Sequence, residues 1–104
     1  MKVFLDDQRS LALMGLSLKD GWVHVTTSKE VIDLLKENEV DEMWLDHDLG
    51  VEDDNGYKVL LWLEKAVIVN GFKPPRIIRI HSANTSAAKR MEQAVQKILG
   101  VYYG

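Results

Sequence analysis

The chain reads as an α/β domain built on a parallel sheet with helices on both faces. Three observations predict this. Strand-like and helix-like segments alternate along the sequence. The strand segments are short, continuous apolar runs such as Val3-Phe4-Leu5 and Ile77-Ile78, as burial on two faces requires. Each run ends in polar residues, so the polar tails should arrive together at one edge of the sheet, where open α/β sheets bind ligands.

The elements follow in order. Val3 to Leu5, closed by Asp6 and Asp7, is the first strand. Ser10 to Lys19 is leucine-rich but carries Gly15, and reads as a helix or an irregular loop. Trp22 to Thr26 alternates and is β-branched, a second strand. Thr27 and Glu30 have capping-box spacing, after which Val31, Ile32, Leu34 and Leu35 keep helical spacing to Asn38. Glu42 to Leu45 is the third strand, and Gly50 to Gly56 is a polar loop bounded by glycines. Tyr57 to Val69 is apolar on most faces, as in a helix buried against a sheet, and Asn70-Gly71 stops it. Pro74-Pro75 stiffens the approach to a fourth strand, Arg76 to Ile80. Thr85 can cap a helix running to about Leu99, with Gly100 ending it, and Val101 to Tyr103 can form a short fifth strand.

Composition narrows the function. A chain of 104 residues, 46% apolar and 28% charged, is expected to form a single domain over residues 1–104. Cysteine is absent, which excludes disulfides, thiolate zinc and cysteine nucleophiles and fits a cytoplasmic setting. Met1-Lys2 runs straight into the first strand, so no signal peptide is expected. The longest apolar stretch, Val59 to Val69, is interrupted by Glu64 and Lys65 and is too short for a bilayer. A net charge of −3 gives no broad attraction to nucleic acid, and no binding of duplex DNA or membrane is expected. Seven acids and no lysine or arginine lie between Asp41 and Asp54, whereas Lys89, Arg90 and Lys97 sit on the last helix. No GxGxxG, P-loop, Gly-x-Ser-x-Gly or HExxH occurs, which excludes the corresponding dehydrogenase, NTPase, serine hydrolase and metalloprotease readings. Oligomeric state is not legible.

Three clusters can carry chemistry. Asp6 and Asp7 end the first strand; adjacent carboxylates diverge on extended chain, so one can bind a metal while the other holds a water. The structural alternative is a turn that one aspartate caps. Asp46-His47-Asp48 ends the third strand, with Asp46 and Asp48 on one face and His47 on the other. Carboxylates this close to Asp6 and Asp7 raise one another's pKa unless a cation neutralises them, and Mg²⁺ or Mn²⁺ suits an all-oxygen site. A solvated acidic loop without an ion is the alternative. His81-Ser82-Ala83-Asn84 ends the fourth strand before a helix. There the Ser82 hydroxyl, the Asn84 amide and free N–H groups can cradle an anion, with Lys89 and Arg90 bringing positive charge. His81 can act as general acid or base, or be a strand-end histidine satisfied by a carbonyl. His24 lies away from this edge and reads as structural or exposed; Trp22, Trp44 and Trp62 read as core. Tyr102-Tyr103 reads as packing or as a closure of the site from the last strand.

These residues resemble a receiver domain of two-component signalling: Asp6-Asp7 its acidic pair, Asp46 its phosphoacceptor, Gly56 its loop glycine, and Ser82-Ala83 its Thr/Ser-Ala pair. The chain departs from ordinary receivers in lacking the lysine after a fifth strand and in its longer loop from Asp46 to Gly56. Leu5-Asp6-Asp7-Gln8-Arg9, Leu45-Asp46-His47-Asp48-Leu49-Gly50, Gly56-Tyr57 and His81-Ser82-Ala83-Asn84 with Arg90-Met91 are similar to the cyclic-phosphate processing receiver-like family of bacteria and phages. That resemblance implies a flavodoxin-like three-layer sandwich with four to five parallel strands in the order 2-1-3-4-5. It also implies action on a cyclic phosphate rather than phosphoryl relay.

The resulting expectation is a divalent-metal-dependent phosphoesterase acting on a small cyclic phosphate, either a cyclic nucleotide or a 2′,3′-cyclic phosphate end. Asp6, Asp7, Asp46 and Asp48 would hold Mg²⁺ or Mn²⁺; Asp46, His47 and His81 would be catalytic; Arg9, Ser82, Asn84 and Arg90 would bind phosphate. The alternatives are a stand-alone receiver phosphorylated on Asp46, and a non-catalytic module binding metal or nucleotide.

Overall fold

The computed structural model describes residues 1–50 and 53–104. Glu52, one of the seven acids counted above, lies outside them. Four strands, β1 (Lys2–Leu5), β2 (Trp22–Val25), β3 (Glu42–Leu45) and β4 (Ile77–Ile80), form one parallel sheet in the order β2-β1-β3-β4. Three helices, α1 (Ser28–Glu37), α2 (Tyr57–Asn70) and α3 (Thr85–Tyr103), connect and follow them. This is the flavodoxin-like arrangement at the four-stranded end of the expected range. The pairing Leu5↔Val25, Leu5↔Leu45 and Leu45↔Ile80 aligns the carboxyl ends of all four strands.

Alternation along the strands sorts the sheet into two different faces. Val3, Leu5, Val25, Met43 and Leu45 point to one side and join Val31 and Leu35 of α1, Val59, Leu60, Leu63 and Val67 of α2, and Met91, Val95 and Ile98 of α3 in a single cluster. All three helices therefore bury their apolar stripes against the same face. The other face carries Lys2, Phe4, Trp22, His24, Trp44, Arg79 and His81, with rings packed on one another: Trp22 meets Trp44 edge-on at 5.3 Å and Phe4 stacks on His81 at 4.9 Å. The helix read as possible over residues 10–19 is replaced by two 3₁₀ turns, Ala12–Met14 and Leu18–Asp20, each ended by a left-handed glycine, Gly15 and Gly21. The helical layer expected on this second face is consequently not built from these residues.

Local signals explain most boundaries. Thr27 caps α1 by accepting the Glu30 N–H, and Glu30 returns its carboxylate to the Thr26 N–H at 3.3 Å. α3 is capped by Asn84, whose Oδ1 accepts the Ala87 N–H at 3.1 Å, not by Thr85. The fifth strand is a correction: Val101 to Tyr103 continue α3 through Gly100. Glycine inside a helix costs only about 1 kcal/mol, and the last turn is held because Tyr103 donates to the Pro74 carbonyl at 2.6 Å while Arg76 lies 4.5 Å over its ring. Pro74 precedes β4, so Tyr103 packs at the amino-terminal edge of the sheet and does not close the site. No helix among the described residues is long and apolar enough to cross a membrane.

Candidate metal and phosphate site

β1 and β3 are neighbours in register, so the residues that follow them emerge side by side: Asp46 donates its N–H to Leu5 at 3.1 Å, and Asp6 to Val25 at 3.2 Å. Asp6, Asp7 and Asp46 each offer one oxygen within 4.8 Å of the others. Asp6 is fully buried. Its Oδ1 accepts the Gln8 and Arg9 N–H groups, both at 2.8 Å, which turns the chain sharply off β1, and its Oδ2 accepts the Arg9 guanidinium at 3.1 Å. Asp7 Oδ1 is buried and has no hydrogen-bond partner among the described residues. Gly50 borders Asp7 so closely that a Cβ there would run into Asp7 Oδ2.

The two innermost carboxyls are driven in opposite directions. Burial raises Asp6, but the N–H groups of Arg9 and Gln8, the Arg9 guanidinium and His81 outweigh it and hold the group below the usual carboxylate range. At Asp46, burial and the Asp6 charge prevail over the His47 N–H and Arg9, and its pKa is pushed up to about 6. His81 lies flat on Phe4 with its Nε2 3.2 Å from Asp6 Oδ2, too far off axis for a hydrogen bond; neither ring nitrogen has a hydrogen-bond partner among the described residues. Burial lowers its pKa despite the Asp6 charge, so the ring is neutral near pH 7.

The other expected residues are placed less uniformly. Arg9 is half-exposed and tied to Asp6. His47 hydrogen-bonds through Nδ1 to Asp48 Oδ1 at 2.7 Å, which leaves Nε2 as its accepting atom when the ring is neutral. Asp48 is turned outward to His47 and is not among the three clustered carboxylates. Ser82 Oγ accepts the Asn84 N–H at 3.1 Å, and Asn84 caps α3, so both shape the helix start. A hollow of about 350 Å³ opens there, lined by Ser82, Thr85, Ser86 and Lys89 among others. Arg90 lies on the side of α3 shared with Ala94 and Lys97, which faces α2, since Lys97 reaches Glu64 at 2.8 Å.

Residues 1–97 match the family model described as the cyclic-phosphate processing receiver domain. The chain belongs to this family. No curated protein and no solved structure matches it. Every site residue named above falls within the matched span.

Three contacts of this receiver domain were not legible beforehand. His24, expected away from the edge, stands opposite Phe4 and donates from Nε2 to the Asp6 carbonyl at 2.7 Å, so it positions the first carboxylate. Asp54 reaches across 26 residues to accept both the N–H and the hydroxyl of Ser28 at the start of α1. Gly56 packs against the end of β3, where a Cβ would collide with the Asp46 carbonyl and approach Met91 Cε. Asn55 accepts the Lys58 N–H at 3.2 Å at the start of α2; the Asp54 and His24 contacts join distant segments and left no local signature. The donor set suits a hard divalent cation: three carboxylates, one with a buried oxygen unpartnered among the described residues and one whose ionisation burial and the Asp6 charge suppress.

Proposed function

We propose that this receiver domain is a phosphoesterase, dependent on Mg²⁺ or Mn²⁺ and working in the cytoplasm, that opens a cyclic phosphate to a monoester. The observation that carries the reading is the Asp6–Asp7–Asp46 cluster at the carboxyl edge of the sheet, with His81 against it. Asp7 and Asp46 would hold the ion by one oxygen each, and Asp6, whose lone pairs already accept N–H groups, would orient it indirectly. A bound ion there supplies charge to a phosphoryl oxygen and lowers the pKa of water.

The chain's own groups do the rest. Neutral His81 accepts the proton of an attacking water, the new P–O bond forms, and the ring P–O bond opens. His47, oriented by Asp48 through Nδ1 and carrying a proton on both ring nitrogens, gives the one on Nε2 to the departing oxygen. Arg9 and the Ser82 hydroxyl receive phosphoryl oxygens beside the α3 start, Asn84 shapes that cradle, and Lys89 flanks it.

The test is ³¹P NMR of the protein with Mg²⁺ or Mn²⁺ and a panel of cyclic phosphates, with acetyl phosphate run separately. Conversion that disappears in folded Asp46→Asn supports the reading. Full activity in that variant, or an aspartyl phosphate on Asp46 without turnover of any cyclic ester, overturns it.

A further inference from the structure

A groove of about 480 Å³ runs along the outer edge of β4, which no other strand pairs among the described residues. Trp44, Arg79, Ile80 and His81 line it from the sheet, and Glu92 and Gln96 from α3. His81 belongs to both places, since its Nε2 also lies 3.2 Å from Asp6. His81 therefore joins the groove to the carboxylates.

The lining suits a flat heteroaromatic ring. Trp44 is half-buried and fixed: its Nε1 donates to Glu42 at 2.7 Å, and Trp22 holds it edge-on. Arg79 lies over the indole at 5.6 Å, and the indole and the guanidinium both border the groove. Such planes are the platforms on which unpaired bases stack. Glu92 and Gln96, one helical turn apart, add an acceptor and a donor–acceptor amide, the means of reading a base edge. Trp44 and Asp46 are alternate residues on one face of the chain at the end of β3, roughly 7 Å apart along it. That is the scale separating base from phosphate in a nucleotide.

We propose that this groove is a base-binding subsite, so that the substrate is a nucleoside cyclic phosphate rather than a base-free cyclic ester. The inference rests on the phosphoesterase reading for the place of the phosphate and on the groove for the base. A free cyclic mononucleotide and the 3′ end of an RNA strand share this chemistry.

The test is calorimetric binding and ³¹P NMR turnover, with Mg²⁺, of four probes. These are adenosine 2′,3′-cyclic phosphate, adenosine 3′,5′-cyclic phosphate, a short RNA ending in a 2′,3′-cyclic phosphate, and glycerol 1,2-cyclic phosphate, which has no base. Arg79→Gln and Gln96→Ala are the variants, both at exposed positions, because Trp44→Ala would also disturb the sheet face. At least one nucleoside probe is expected to bind on the order of tenfold more tightly than the glycerol ester. Each variant should narrow that ratio several-fold, and the tighter of the mononucleotide and RNA arms assigns the source. Equal affinity for the glycerol ester, a ratio indifferent to both variants, or no binding of any nucleoside probe overturns the subsite. Variant-sensitive nucleotide binding with no turnover of any probe keeps the subsite and overturns the phosphoesterase reading; turnover indifferent to the base does the reverse.

Discussion

Asp6 and Asp46 end adjacent parallel strands, and their carboxyls titrate apart: Asp6 is held below its ordinary range while Asp46 is pushed up to about 6. The separation has one physical origin. Asp6 collects the N–H groups and the guanidinium that a buried carboxylate needs, and its retained charge then adds to burial in suppressing ionisation at Asp46.

The first prediction is that a cation relieves this asymmetry. Mn²⁺ or Mg²⁺ should stabilise the fold by about 2.7 kcal/mol at a hundred times its Kd, raising Tm by roughly 10–20 °C for a domain of this size. Asp46→Asn or Asp7→Asn should remove most of that gain. Because protons compete at Asp46, the metal-dependent shift should shrink as pH falls through about 6. Thermal melts with and without metal at pH 5 and pH 7.5 read this directly, and identical shifts at both would contradict it.

The pH dependence of the metal-free protein has a defined sign. At Asp46 the folded pKa, about 6, lies above the ordinary value of 3.8, so between these pH values the folded state binds more protons and stability falls as pH rises. Asp6 acts the other way at lower pH: its depressed folded pKa contributes stability above about 3.8 that is lost as pH falls further. Metal-free Asp46→Asn should therefore be more stable than the wild type at pH 7, by about 1–2 kcal/mol once solvent screening is discounted, and equally stable near pH 4. Urea melts at the two pH values measure the difference.

Two glycines separate folding from binding. Gly56→Ala forces a Cβ into the Asp46 carbonyl, which is backbone and cannot turn away, and should cost about 1–3 kcal/mol or more. Gly50→Ala meets only the end of the Asp7 side chain, which can rotate. It should leave Tm nearly unchanged and weaken Mn²⁺ binding. Melting curves and metal titrations on both variants distinguish the two effects.

Asp54 ties the β3–α2 loop to α1. Asp54→Ala strands the Ser28 N–H and hydroxyl and should cost about 1–3 kcal/mol. Ser28→Ala in the same background should then add little, because the pair acts as one contact. A double-mutant cycle in urea gives the coupling, and simple additivity would refute it.

Much of this arrangement is legible in the sequence because it is written in local patterns. Continuous apolar runs mark β1, β3 and β4; Thr27 and Glu30 mark the start of α1; the polar tails at Asp6-Asp7, Asp46 and His81 follow each strand, and parallel pairing alone brings them to one edge. What the sequence could not decide depends on contacts between distant segments. Val101 to Tyr103 has strand-like composition, yet helix propagation and the Tyr103–Pro74 bond keep it in α3. Asp46-His47-Asp48 suggests two equal carboxylates, yet Asp48 turns to His47 while Asp7 and Asp6 close on Asp46. His24, Asp54 and the Trp44–Arg79 wall owe their places to sheet register and helix packing. Residue types and their spacing along the chain thus set the elements and the chemistry available at the sheet edge. Only the tertiary structure decided which groups lose water together, and the N–H groups and guanidinium gathered at Asp6 but not at Asp46 are what drive the two buried carboxyls apart.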